Sequence, residues 1–183
     1  MTELQTHRAK PLEAGPWVPE IIAFCCNYCA YAAADLAGSR RMQYPSNVRV
    51  IHVPCTGKIE MEHILSAFEK GIDGVLIAGC LEGGCHFLEG NLRAKRRSEY
   101  LQEMLDQIGV GRDRLRMVNL SAAMAPTFVQ RVEEIVAKVK SLGPNPLRKS
   151  GTPLSLTAPN PSPSSNNSST GTRRCCSSDA APA

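Results

Sequence analysis

Ile21-Ile22-Ala23-Phe24-Cys25-Cys26-Asn27-Tyr28-Cys29-Ala30 decides the fold. A short unbroken apolar run ends on cysteines, and Ala30, Ala33, Ala34 and Ala37 then repeat at helical spacing. Such a run reads as a strand buried on both faces, and a face of alanines lets the helix after it lie close to a sheet. The alternation recurs downstream. Val48-Arg49-Val50-Ile51-His52-Val53, Gly74-Val75-Leu76-Ile77-Ala78 and Leu115-Arg116-Met117-Val118-Asn119-Leu120 are the next predicted strands. Helical repeats follow them: Met61, Ile64, Leu65 and Phe68; Leu101, Met104, Leu105 and Ile108; Phe128, Val132, Ile135, Val136 and Val139. Gly38, Gly71 and Gly109 follow the first three helices and are expected as C-terminal caps. Strand–helix alternation implies a parallel sheet with helices on both faces. Strands one and three are wholly apolar and belong in the centre. Strands two and four carry Arg49 and His52, and Arg116 and Asn119, and belong at the edges. With right-handed crossovers, the expectation is an α/β fold: a short flavodoxin-like parallel sheet of four strands, ordered 2-1-3-4.

The chain has 183 residues, 43% hydrophobic and 21% charged, which suits one domain of ordinary size. No apolar run approaches the roughly 20 residues a bilayer span needs, so no membrane span is expected. Met1 to Glu20 shows no apolar core of a secretory signal. The net charge of +4 is concentrated late: residues 148–183 hold four basic side chains and one acidic, whereas the first 147 hold 17 basic and 16 acidic. A nearly neutral body argues against nucleic acid as a partner. Arg93, Lys95, Arg96 and Arg97 form a local basic patch, read as a solvated helix face or a docking surface for an acidic partner. Residues 149–183 have no aromatic residue and are rich in Ser, Pro, Thr, Asn and Ala, a composition that cannot offset its ordering entropy. The expected organisation is an N-terminal extension over 1–17, an α/β domain over 18–142, and a disordered Pro/Ser/Asn-rich tail over 143–183 that holds Cys175 and Cys176.

Eight cysteines in a chain without a secretory signal point to a reducing, cytoplasmic setting and to metal or redox work. All six in the body fall at carboxyl ends of predicted strands: Cys25, Cys26 and Cys29 after the first, Cys55 after the second, Cys80 and Cys85 after the third. Open α/β sheets bind ligands along that edge, where strand order reverses. In the order 2-1-3-4 the Cys26–Cys29 pair should face the Cys80–Cys85 pair across the crevice, with Cys55 beside them. Four thiolates hold a [2Fe–2S] cluster or a structural zinc, and the spacing alone does not separate the two. Gly57, Gly79, Gly83 and Gly84 favour iron–sulfur, because they let backbone N–H groups approach cluster sulfurs. A body of this size also needs no zinc staple. A thiol–disulfide site using Cys26 and Cys29 at a helix start is a further alternative; it leaves Cys55, Cys80 and Cys85 without a role. His86 beside Cys85 is a candidate fourth ligand, as in a Rieske centre, but is read rather as a hydrogen-bond donor to the site or an ordinary loop histidine. A phosphate cradle at Gly79–Gly84 is opposed by Glu82.

Phe24-Cys-Cys-Asn-Tyr-Cys-Ala-Tyr, Ala34-Asp-Leu-Ala-Gly-Ser-Arg-Arg-Met-Gln-Tyr-Pro, Pro54-Cys-Thr-Gly-Lys, Gly74-Val-Leu-Ile-Ala-Gly-Cys and Gly84-Cys-His-Phe-Leu-Glu-Gly-Asn resemble, in order, the delta (D) subunit family of methyl-viologen-reducing [NiFe] hydrogenase. The resemblance stops near Leu142-Gly-Pro. It implies a small iron–sulfur protein carrying a [2Fe–2S] cluster. It also implies electron relay between the [NiFe] hydrogenase small subunit, or a formate dehydrogenase, and the FAD-containing A subunit of heterodisulfide reductase. The family's five-cysteine pattern falls on Cys26, Cys29, Cys55, Cys80 and Cys85, one more than a cluster needs; Cys26, Cys29, Cys80 and Cys85 are the expected ligands. Tyr28 stands where the family often has Trp, and Ser121-Ala-Ala-Met-Ala-Pro replaces a more polar stretch. The chain offers no substrate site of its own, so an electron carrier is expected rather than a free-standing enzyme. Its cluster edge, with Tyr28, Tyr31 and Phe87, is the expected docking face.

Overall fold

A computed structural model describes residues 17–148. The apolar runs form four strands: β1 (Ile21–Cys26), β2 (Val48–Val53), β3 (Gly74–Cys80) and β4 (Leu115–Leu120). All pairings are parallel, in the order β2-β1-β3-β4. Burial follows the composition that set this order: every residue of β3 is buried, whereas β2 is largely open and β4 is half-buried, with Arg116 exposed. Four helices connect or follow the strands: α1 (Ala32–Ser39), α2 (Met61–Glu69), α3 (Gly90–Gln107) and α4 (Ala125–Leu142). Ala33 and Ala37 of α1 and Phe128, Val132, Ile135 and Val139 of α4 share one buried cluster with Ile21, Ala23, Leu76 and Ala78 of the central strands. Ile64 and Phe68 of α2 and Leu101 and Leu105 of α3 are also fully buried, and α2 packs on α3. No helix among the described residues is long and apolar enough to cross a membrane.

Two expectations are corrected. Gly38 lies inside α1, and the left-handed residue beyond that helix is Arg41 (φ 54). Gly71 (φ 92) and Gly109 (φ 76) do terminate α2 and α3 in the left-handed region, where a side chain would be strained.

The second correction concerns residues 143–148, assigned to the tail by their Gly-Pro-Asn-Pro composition. These residues are packed. Asn145 is buried; its Nδ2 donates to the carbonyls of Phe68 (2.8 Å) and Ile72 (2.7 Å). The wholly buried Asp73 carboxylate accepts from the N–H of Asn145 (2.8 Å), the N–H of Glu20 (2.9 Å) and the Arg148 guanidinium (3.0 Å). Buried Arg114 donates to the carbonyls of Gly143 (2.9 Å) and Pro144 (3.0 Å). Buried polar groups require partners, and here the supposed tail supplies them. The readings made for residues 1–16 and 149–183, including Cys175 and Cys176, lie outside the described residues.

Candidate metal centre

β1 and β3 are neighbours, so their carboxyl ends meet. Cys26 closes β1 and Cys80 closes β3, and their sulfurs lie 3.5 Å apart. The chain leaves β1 through a π-helical turn, Asn27–Tyr31, that carries Cys29. Such turns put an extra residue in the helix and are frequent at functional sites. It brings Cys29 back to the strand ends: the sulfurs of Cys26, Cys29 and Cys80 all lie within 4.8 Å of one another. Cys25, one residue earlier, is fully buried in the core behind the strands. Burial, then the neighbouring Cys26, pushes its thiol up to about 12.

The other two cysteines form a second group. Cys55 precedes a single helical turn, Thr56–Lys58, and its sulfur accepts from the N–H of Gly57 at 3.3 Å. Cys85 follows an exposed turn over residues 81–84, closed by the Gly84 N–H on the Leu81 carbonyl (3.0 Å). The turn carries it from β3 to the start of α3, where its sulfur and that of Cys55 both lie against Gly90. The expected arrangement, a Cys26–Cys29 pair facing a Cys80–Cys85 pair, is thus redrawn as three and two. Adjacency in the sheet joins Cys80 to the first pair, and the loop delivers Cys85 to Cys55. Each group disfavours ionisation in the other: Cys85 helps to raise the thiol of Cys29, and Cys26 that of Cys55.

Ionisation of the set is opposed from within. Burial raises the thiols of Cys29, Cys55 and Cys80; neighbouring thiols add to it at Cys55 and Cys80, whereas at Cys29 the Cys80 thiol opposes it in part, as the Gly57 N–H does at Cys55. Cys85 is the exception. Burial pushes it up, but N–H groups of Asn91, Phe87 and Gly90 and the Cys55 thiol outweigh that and bring it below the ordinary value. Five sulfurs crowded together with several held protonated form a donor set that a cationic centre completes: soft ligands, no carboxylate among them, and repulsion that bound metal relieves. These residues fit an iron–sulfur cluster or zinc.

The surroundings are apolar and open. Tyr28 stacks on His86 with ring centroids 3.9 Å apart, and Phe87 meets Tyr28 edge-on at 6.0 Å. His86 is engaged with these rings and lies outside the thiol group. Tyr28, Leu81, Phe87 and Leu88 are all substantially exposed. The basic patch is largely paired: Arg93 with Glu89, Lys95 with Glu82, Arg97 with Glu60. The reading of a solvated helix face describes it well. Glu82, which argued against a phosphate cradle, is the partner of Lys95 at 2.8 Å.

Sequence reasoning missed the support beneath the thiols. Asn91, fully buried, donates to the carbonyls of Cys80 (3.1 Å) and Leu81 (2.9 Å), and Asn119 of β4 donates to the Cys80 carbonyl. The available signal was Gly90-Asn91 opening a helix immediately beyond a cysteine loop.

Residues 21–143 match the family model described as methyl-viologen-reducing hydrogenase, delta subunit. The chain is 49% identical over 130 residues to the vhu iron-sulfur D subunit of the F420-non-reducing hydrogenase of Methanocaldococcus jannaschii, covering 71% of this chain and 97% of that relative. It is 41% identical over 128 residues to the iron-sulfur D subunit of the F420-non-reducing hydrogenase of Archaeoglobus profundus, covering 70% of this chain and 93% of the relative. A third similarity is of another kind. The chain is 43% identical over 126 residues to the A subunit of the ferredoxin/F(420)H(2)-dependent CoB-CoM heterodisulfide reductase of Methanosarcina acetivorans, covering 69% of this chain but 16% of that much longer relative. With the matched region spanning every strand and helix and all six cysteines of the body, the chain belongs to the delta subunit family of methyl-viologen-reducing hydrogenase.

Proposed function

We propose that this protein is an iron–sulfur subunit for electron transfer. It carries one [2Fe–2S] cluster and relays electrons between a hydrogenase, or a formate dehydrogenase, and the flavin-bearing A subunit of a heterodisulfide reductase. The observation that carries the reading is the gathering of Cys26, Cys29 and Cys80 within 4.8 Å at the carboxyl edge of the sheet, with Cys55 and Cys85 alongside. Cys26, Cys29, Cys80 and Cys85 are the proposed ligands. The first three are already together, and the fourth is the thiol that N–H groups hold toward its thiolate form. Cys55 is then the fifth sulfur, kept beside the site by the Gly57 N–H. Bound there, a cluster of this type accepts and releases one electron at a time. The chain's own contribution is to hold the sulfurs, shield them with the ends of β1 and β3, and present an apolar rim to the next redox partner. Tyr28, Phe87 and Leu88 supply that rim, and aromatic residues are favoured at interface cores. The relatives support the partners: one group is named as hydrogenase subunits, and in another the same stretch lies within the A subunit of a heterodisulfide reductase. A reducing cytoplasm fits the free thiols.

The visible spectrum of the anaerobically purified protein, with iron, sulfide and zinc analysis, tests the reading. Sulfur-to-iron charge-transfer bands with two irons and two sulfides per chain are expected. Colourless protein with stoichiometric zinc would support a zinc-stabilised interaction module instead. Colourless, metal-free protein with an exchangeable Cys26–Cys29 disulfide would support a thiol–disulfide oxidoreductase.

A further inference from the structure

The C-x4-C of Cys80 and Cys85 does not fix its own geometry. Its two cysteines are separated by four exposed residues, and Gly83 among them takes φ 78. Something else must set how far apart the sulfurs sit. The structure offers one element that touches both ends, the first turn of α3.

Asn91 and Gly90 reach the two ends between them. The Asn91 side chain donates to the carbonyls of Cys80 and Leu81 at 3.1 and 2.9 Å. The amide is also locked on its other side, where Oδ1 accepts from the N–H of Leu92 at 2.9 Å. Gly90, one residue earlier, works by what it lacks. A Cβ there would lie 2.3 Å from the Cys55 sulfur and 3.4 Å from the Cys85 sulfur. Non-bonded atoms do not approach to 2.3 Å, so any side chain would drive Cys55 out of its place. Gly57, in the Cys55 loop, is bare where the two meet, since a Cβ on Gly57 would lie 2.9 Å from the Gly90 Cα. Arg97, two turns along α3, ties that loop down by donating to the Gly57 carbonyl at 2.6 Å.

We infer that Gly90 and Asn91 are positioning residues for the thiol set, joining Cys55, Cys80 and Cys85 into one site through the start of α3. The inference rests on the reading of the site as a metal centre. Neither residue ligates anything. Asn91 sets the separation of Cys80 from Cys85, and Gly90 lets Cys55 and Cys85 share the face of one peptide. Hydrogen bonds and packing around a metal's ligands hold them in the geometry the metal requires, and their loss typically costs about 10- to 100-fold in metal affinity.

The test uses the full chain purified anaerobically with its metal. Asn91→Asp keeps size and shape but removes the donor to two carbonyls. Gly90→Ala adds the single carbon that meets Cys55. The readouts are metal per chain, the rate of metal loss to a chelator, and the EPR or absorption spectrum, with far-UV circular dichroism as the check on folding. Asn145→Ala, at the opposite edge of the sheet, is the control for lost stability as such. Both site variants are expected to fold, to lose metal roughly ten times faster than wild type, and to show an altered spectrum; the control keeps the wild-type spectrum and rate. Folded variants with wild-type metal content, spectrum and loss rate would overturn the inference. So would failure of both to fold, which would make this turn a general folding element. Wild-type protein that binds no metal would instead overturn the metal-centre reading beneath it.

Discussion

Asn145→Ala removes a side chain whose importance no composition argument foresees. The amide makes three hydrogen bonds: Nδ2 to the carbonyls of Phe68 and Ile72, and Oδ1 from the N–H of Leu147 (3.0 Å). Each is worth about 1 kcal/mol net, and a buried carbonyl left unpaired costs about 1–3 kcal/mol more. The Phe68 carbonyl keeps its bond from the Gly71 N–H at 3.0 Å, so the excess falls mainly on Ile72. The expected loss is therefore about 4–6 kcal/mol, a large share of the roughly 5–15 kcal/mol that holds a domain folded. In a body of this size it corresponds to a fall of about 15–20 °C in melting temperature. The assay is thermal and urea denaturation followed by far-UV circular dichroism. Ending the chain after Leu142 should cost at least as much, because it also strips the buried Asp73 carboxylate of Asn145 and Arg148. Ending it after Arg148 should leave stability and metal content nearly unchanged, given the composition of what is removed. A loss below about 0.5 kcal/mol for Asn145→Ala, within the range of an ordinary surface change, would refute the view that 143–148 belongs to the folded body.

Three further outcomes are expected. Cys80→Ala and Cys85→Ala should abolish or deplete metal, whereas Cys25→Ala, whose sulfur is buried in the core, should retain it; full iron and an unchanged EPR signal in the first two would sink the ligand assignment. In metal-free protein, thiolate is the species that reacts with iodoacetamide, so Cys85, lowered by N–H groups, should be alkylated at lower pH than Cys55, raised by burial. The two are equally shielded, at 8% and 7% exposure, so mass spectrometry across a pH series reads the ionisation order, and Cys55 reacting first would contradict it. Lys58→Glu and Phe87→Ala, both exposed beside the cysteines, should slow electron delivery to the flavoprotein partner without lowering metal content. Unchanged kinetics in both would move the docking face, with the Arg93–Arg97 segment next in line.

What the sequence determined by itself was the layout of the chain and the location of its chemistry. Continuous apolar runs can be buried only between helices, so β1 and β3 had to be central; Arg49, His52, Arg116 and Asn119 need water, so β2 and β4 had to be edges. Cysteines at strand ends then had to share the carboxyl edge. That inference depends on local pattern and on topology rules, and both are written in consecutive residues. What only the tertiary structure decided was how those residues pair across the chain. Cys80 joins Cys26 and Cys29 while Cys85 joins Cys55, because a loop of four residues permits many paths and the start of α3 selects one. Asn91 and Asn145 read in sequence as ordinary polar residues, one opening a helix and one between prolines. Each becomes a clasp only when folding brings bare carbonyls 10 and 73 residues distant within reach of its amide. Periodicity records which face of an element is apolar. It carries no record of which distant carbonyl lacks a donor, and that need sets both the end of the folded body and the spacing of the sulfurs.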